Sequence, residues 1–204
     1  MAAGTKYWDK VARFYDFIMS ERRAGYDRIA ARFASWVGPE HTVLELGAGP
    51  GSLTRHLAPS TGLYTMTDAS AEMVERARSK VSHLANVTVG QEDAQALSFP
   101  DGSFDRVVMA NMLHIVPDPR AVLLEASRVV ADDGCILIAN FVLEDPDRPG
   151  IGIKLLELTG YELHAGWTPE RFEEFLRGTG LIIEESDHID AMFRTQIVRA
   201  RPSR

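Results

Sequence analysis

Val43-Leu44-Glu45-Leu46-Gly47-Ala48-Gly49-Pro50-Gly51 is a short apolar run that breaks into glycines at every second position. Thr42–Leu46 reads as a buried strand, and Ser52–Leu57 as the helix that follows it. Glycine lets a backbone turn tightly and come close to a ligand. A plain strand–helix turn needs one such residue. Three at alternate positions, directly after a buried strand, mark a ligand loop.

The dinucleotide fingerprint is G-x-G-x-x-G. Here the third glycine comes one residue early, and Glu45 stands before the first. A carboxylate there would face the negative charge of a pyrophosphate. The pattern suits a ligand with a cationic amine and a nucleoside. Asp68 follows Gly49 by nineteen residues, at the end of the second strand. A carboxylate so placed can accept hydrogen bonds from both ribose hydroxyls.

Strands and helices alternate beyond this loop. Leu63–Thr67, Val87–Val89, Arg106–Ala110 and Cys135–Phe141 read as further strands, and Leu181–Glu185 and Met192–Val198 as two closing ones. Ser70–His83 reads as a helix with Met73, Val74, Ala77 and Val81 inward. Another opens at Pro119 behind Asp118 as cap and stops at Gly134, and a third opens at Thr168-Pro169. Ahead of the first strand, Tyr7, Trp8, Val11, Phe14, Tyr15 and Ile18 share one helical face, and Tyr26, Ile29, Ala30, Phe33, Trp36 and Val37 share another, ended by Gly38-Pro39. The expected fold is α/β: a Rossmann-like, seven-stranded, mostly parallel sheet with helices on both faces and the last strand antiparallel. Ligands bind such sheets at the carboxyl ends of the strands. The loops after Leu46, Thr67, Val89, Ala110 and Phe141 are therefore expected to line the site.

Composition narrows the function. The chain has 204 residues, 29 Asp and Glu against 22 Lys and Arg, and a formal charge of -7. That is a poor start for a nucleic-acid binder, which needs a basic face to release counterions. The single cysteine, Cys135, excludes an internal disulfide, and no Cys/His cluster has zinc spacing. Apolar runs fall well short of the ~18 residues a membrane span needs. Nothing at the start of the chain reads as a signal core. The expectation is a soluble, cytoplasmic protein without a metal.

The chain resembles the class I S-adenosylmethionine (SAM)-dependent methyltransferases, and within them the type 11 branch that includes ubiquinone and menaquinone biosynthesis enzymes. Glu45 to Gly51 is similar to the SAM loop, and Thr67-Asp68-Ala69-Ser70-Ala71-Glu72-Met73 to the ribose strand and its helix. Gln91-Glu92-Asp93-Ala94, with Leu97 to Asp105, is similar to the adenine loop and the entry to the fourth strand. The resemblance covers roughly residues 5–140. It implies SAM as cofactor, held by Glu45, Gly47, Ala48, Gly49, Gly51, Asp68, Ala69, Met73, Asp93, Ala94, Asn111 and Tyr15. Asp93 would bond the adenine amino group, Ala94 its ring nitrogen, and Met73 and Leu97 would sandwich the ring. Glu45 and Gly47 would face the methionine end.

The resemblance also implies the layout of the chain as one methyltransferase domain. Residues 1–38 form a helical lid, 40–141 the SAM-binding core, 142–167 a variable segment on the substrate side, and 168–204 the closing helix and strands. Tyr7, His114, Tyr161, His164 and Trp167 are the expected acceptor-side residues. After the fourth strand stands Asn111-Met112-Leu113-His114, not the Asn/Asp-Pro-Pro-aromatic of nucleobase amino methyltransferases. His114 is the candidate general base, since an ordinary histidine titrates near neutrality.

Methyl transfer from a sulfonium is an in-line displacement on an activated donor, so alignment and water exclusion carry most of the task. The expected reaction is methylation of a small molecule. Two alternatives stay open. One is a lipid head group or quinone precursor as acceptor, with the amphipathic first helix resting on a membrane surface. The other is a non-catalytic SAM-binding sensor or scaffold. The oligomeric state is not legible.

Overall fold

The computed structural model describes residues 23–146, 161–190 and 194–204. Helix α1 (Arg23–Ala34) precedes β1 (Thr42–Leu46). Then come α2 (Thr54–Leu57), a 3-10 turn, β2 (Leu63–Asp68), α3 (Ala71–Val81), β3 (Val87–Gln91) and β4 (Phe104–Ala110). Helix α4 (Pro119–Val129) leads into β5 (Val130–Phe141), and α5 (Pro169–Gly178), β6 (Leu181–Asp190) and β7 (Arg194–Pro202) close the chain.

The seven strands form one sheet in the order β3-β2-β1-β4-β5-β7-β6. The first five are parallel, and β7 runs antiparallel to both β5 and β6. The strand order reverses between β1 and β4, where a crevice opens at the carboxyl ends.

The continuous apolar strands have a physical reason: both faces are covered. Side chains alternate across a strand. Leu44, Leu46, Val107, Met109, Ile136 and Ile138 pack on one face against Val122, Leu123 and Ala126 of α4 and Phe172 and Leu176 of α5. Val43, Val108, Leu137 and Ile197 pack on the other against Ile29 and Phe33 of α1, Leu57 of α2 and Ala77 and Val81 of α3. Three helices start where the cap residues demand. Ser70 Oγ accepts from Met73 N (3.1 Å), Asp118 Oδ1 from Ala121 N (3.0 Å) and Thr168 Oγ1 from Arg171 N (3.3 Å).

Several boundaries differ from expectation. Helix α4 ends at Val129, and the chain passes at once into β5, so Gly134 lies inside a strand and stops no helix. The pairing of β4 with β5 shifts register between Phe104 and Arg106, and Gly134 sits in that irregular stretch. A Cβ there would lie 2.7 Å from Asp105 O, so glycine serves close strand approach. Trp36 and Val37 lie past the end of α1. The closing strands are longer than expected, because each completes its pairing along the other. The helix expected over residues 7–18, with Tyr7 and Tyr15, lies outside the described residues, as does Ile153–Leu158.

Candidate cofactor and acceptor site

The loop after β1 turns through positive φ at Gly47 (61°) and Gly49 (55°), a region that side chains other than glycine rarely adopt. At Gly47 a Cβ would also meet Met112, 3.0 Å from its sulfur and 3.1 Å from its Cβ. Gly47→Ala is expected to cost about 1–2 kcal/mol in folding stability from the left-handed conformation alone, with a further cost from displacing Met112. Urea denaturation checks it, and an unchanged midpoint would show that the loop can relax.

Asp68, at the end of β2, ties this loop down. Its Oδ2 accepts from Gly49 N (2.8 Å), and its Oδ1 accepts from Ser70 N (2.9 Å) at the start of α3. The segment after β3 is held in a local turn, where Asp93 Oδ1 accepts from Gln95 N and from Gln95 Nε2 (3.0 and 3.1 Å). Gln95 Oε1 in turn accepts from Asp118 N (3.1 Å), linking that turn to the start of α4.

At the end of β4, Asn111 adopts φ 54°, the only positive φ outside glycine among the described residues. Asparagine tolerates this region because its short amide can bond locally. Here Asn111 N donates to Ala139 O (2.7 Å), and Asn111 Oδ1 accepts from Phe141 N (3.1 Å). The β4 loop is thereby stapled to the end of β5.

These loops enclose one crevice. It is lined by the expected Gly47, Gly49, Asp68, Ala69, Met73, Asp93, Ala94 and Asn111. Tyr26, Gln95, Met112, Ile115, Val116 and Pro117 line it as well and escaped the sequence reading. The apolar character of Met112, Ile115, Val116 and Pro117 in the loop after the fourth strand was the signal available for those four. Asp68, Glu92 and Asp93 bring three carboxylates to the lining, and no Lys, Arg or His is among the described lining residues.

Other expected residues lie elsewhere. Glu45 is 2% exposed and turned into the core, where its Oε2 accepts from Thr54 Oγ1 (2.6 Å) and Tyr64 Oη (2.8 Å). Burial pushes its carboxyl up to about 7, against the pull of those two hydroxyls. It does not line the crevice, because along β1 it alternates with Leu44 and Leu46. Ala48 is buried in the core on the α1–α3 face, and Gly51 packs near Val81 and Met66. Leu97 lies in the opposite core cluster, with its N–H donating to Glu125 Oε2 (2.8 Å), so it does not face Met73 across the crevice.

Trp167 also belongs to the core. Its ring packs 5.3 Å from Phe172 and 5.1 Å from Phe175. His114, Tyr161 and His164 do come together. His114 is buried, its ring centroid lying 3.9 Å from that of Phe141 and 6.5 Å from that of Tyr161. His114 O accepts from His164 N (2.9 Å), and the His164 side chain pairs with Glu162. Among the described residues no group of three or more His, Cys, Asp or Glu is placed to hold a metal, and no helix is long and apolar enough to cross a membrane.

A seven-stranded sheet of this order, with the glycine loop and three carboxylates lining the crevice at its carboxyl end, has the architecture of the class I SAM-dependent methyltransferases. Residues 43–134 match the family described as "Methyltransferase domain". The chain is 32% identical over 145 residues to the ubiquinone/menaquinone biosynthesis C-methyltransferase of Hahella chejuensis, a match covering 67% of this chain and 58% of that protein. It is 38% identical over 109 residues to the phosphatidylethanolamine N-methyltransferase of Cereibacter sphaeroides, covering 50% and 52%. The crystal structure of a SAM-dependent methyltransferase from Aquifex aeolicus superimposes with a TM-score of 0.68 at 20% identity, over 84% of this chain and 88% of that one. The chain therefore belongs with the class I SAM-dependent methyltransferases and is related to the ubiquinone/menaquinone enzymes. It spans little more than half the length of the two curated relatives.

Proposed function

We propose that this protein binds SAM in the crevice and transfers its methyl group to a small molecule. The observation that carries the reading is the charge of the lining, which has three carboxylates and no basic side chain among the described residues. A dinucleotide pyrophosphate would find no counter-charge there. A sulfonium nucleoside with a cationic amine would meet complementary charge. Residues 40–141 carry the cofactor, and Tyr161 and His164 stand on the acceptor side.

The residues present fit such a cofactor. An ionised carboxylate offers about four acceptor sites, so Asp68 can serve a ribose as well as the Gly49 and Ser70 backbone donors. Asp93 and Ala94 stand where an adenine edge would be read, and Met73 with Val116 and Pro117 gives apolar surface for the ring. Gly47 and Gly49 leave room beside Met112 and Asn111 for the methionine end. Bound SAM supplies an activated methyl carbon, and the chain's part is to orient it and exclude water. Its relatives' names point to quinone precursors and a phospholipid amine, and a small or small-headed acceptor is in keeping with both.

Calorimetry with SAM, S-adenosylhomocysteine (SAH) and NAD tests the assignment. SAM and SAH are expected to bind and NAD is not, and NAD binding without SAM binding ends it.

A further inference from the structure

Both hydrogen bonds that the Asp93 carboxylate accepts fall on one of its oxygens. Oδ1 takes Gln95 N (3.0 Å) and Gln95 Nε2 (3.1 Å). A carboxylate oxygen offers about two acceptor sites, so Oδ1 is full. Oδ2 has no partner among the described residues, and Asp93 and Gln95 both line the crevice. The carboxylate therefore keeps one oxygen open to a ligand.

The Gln95 amide is fixed from both ends. Asp118 N can only donate, so the atom 3.1 Å from it is the amide oxygen, and the nitrogen faces Asp93. Asp118 in turn caps α4 through Ala121 N, and α4 is seated in the core by Val122, Leu123 and Ala126. Ala96 N donates to Asp93 O (2.9 Å) and closes the turn. One side chain thus ties the Asp93 carboxylate to a helix packed against the sheet. Without Gln95 Nε2, a single backbone N–H would hold Oδ1, and the plane of the carboxylate would be free to turn.

We propose that Gln95 is a positioning residue that makes the crevice selective for a 6-aminopurine, by filling Asp93 Oδ1 and holding Oδ2 as a fixed acceptor for the exocyclic amine. This rests on the SAM-dependent reading of the same crevice. An ionised carboxylate only accepts, so it bonds the amine of adenine and repels the carbonyl oxygen that hypoxanthine carries at that position. A site with a preorganised acceptor rejects an analogue lacking the donor more strongly than one whose acceptor can swing aside.

The test is calorimetry of the full chain with SAH and with S-inosylhomocysteine, the same ligand with hypoxanthine in place of adenine. The wild type is expected to bind SAH tighter by about a hundredfold or more. Gln95→Leu is expected to weaken SAH by about tenfold and S-inosylhomocysteine by less than about twofold, so the ratio falls. Gln95→Glu keeps an oxygen for Asp118 N and removes the donor to Asp93, so it is expected to lower the ratio at least as much. An intact ratio in Gln95→Glu, or equal weakening of both ligands in Gln95→Leu, overturns the proposal and leaves Gln95 as a tie between the turn and α4. In an Asp93→Ala background, Gln95→Leu is expected to change SAH affinity by less than about twofold, because a residue that acts through another has no effect once that other is gone. A loss there as large as in the wild type overturns the proposal too. Equal binding of both ligands by the wild type removes the base selectivity and leaves the cofactor assignment standing. Binding of neither ends that assignment, and the proposal with it.

Discussion

Asp68→Ala is expected to weaken SAM binding by about thirtyfold to a thousandfold, the loss of two charge-assisted hydrogen bonds worth about 2–4 kcal/mol together. The same substitution is expected to lower the melting temperature of the ligand-free protein. Gly49 N and Ser70 N both donate to this carboxylate. Losing such a partner costs about 1–3 kcal/mol, or about 3–10 °C in a chain of this size. Asp68→Asn keeps one acceptor oxygen and should restore part of the stability while remaining poor in binding. Calorimetry and thermal melting measured on each variant separate the two roles. A melting loss with intact affinity would leave Asp68 as a staple of the loop only.

Glu45 governs the second large effect, which is on stability as a function of pH. In the folded protein burial raises its carboxyl from 4.5 to about 7. A raised folded pKa means that the native state holds the proton where the unfolded chain has lost it. The stabilisation is complete below about 4.5, falls as pH rises, and is gone above about 7. The expected decline in unfolding free energy between pH 5 and pH 8 is about 3 kcal/mol at most, because each pH unit between the two values is worth about 1.36 kcal/mol. Glu45→Gln keeps an oxygen for the Thr54 and Tyr64 hydroxyls and cannot ionise, so its unfolding free energy should be flatter over this range. Denaturant titrations at both pH values decide the matter, and equal slopes for wild type and Glu45→Gln would show that Glu45 ionises freely in the fold.

The fold was legible because period and punctuation agree. The Val-rich strands, the glycine loop and the caps Ser70, Asp118 and Thr168 each point to the same alternation. Asp68, Asp93 and the two loop glycines were readable too, since their place follows from being next to strand ends. Failures came where a residue's direction matters more than its position. Glu45 and Leu97 sit beside the crevice in sequence, but strand alternation and the path of the loop send both side chains into the core. Trp167 looked like a pocket wall because aromatic residues serve walls and cores alike, and only tertiary packing distinguishes them. Asn140 had a signal, one amide in the apolar run from Cys135 to Phe141, but its bond to His114, 26 residues away, was not readable from the run itself.

The place of β7 has a consequence for biosynthesis. It is made after β6, yet it lies between β5 and β6. As the chain emerges from the ribosome, the five parallel strands can assemble while the outer side of β5, from Ile136 to Phe141, still lacks its partner. Strand β6 at that stage has no strand partner among the described residues, where it pairs with β7 alone. An apolar strand edge thus stays open for the whole time needed to make residues 142–194, a standing invitation to pair with another nascent chain. Synthesis interrupted before Arg194 should yield a sticky half-sheet, and crowded polysomes making this protein should depend on chaperones that shield strand edges.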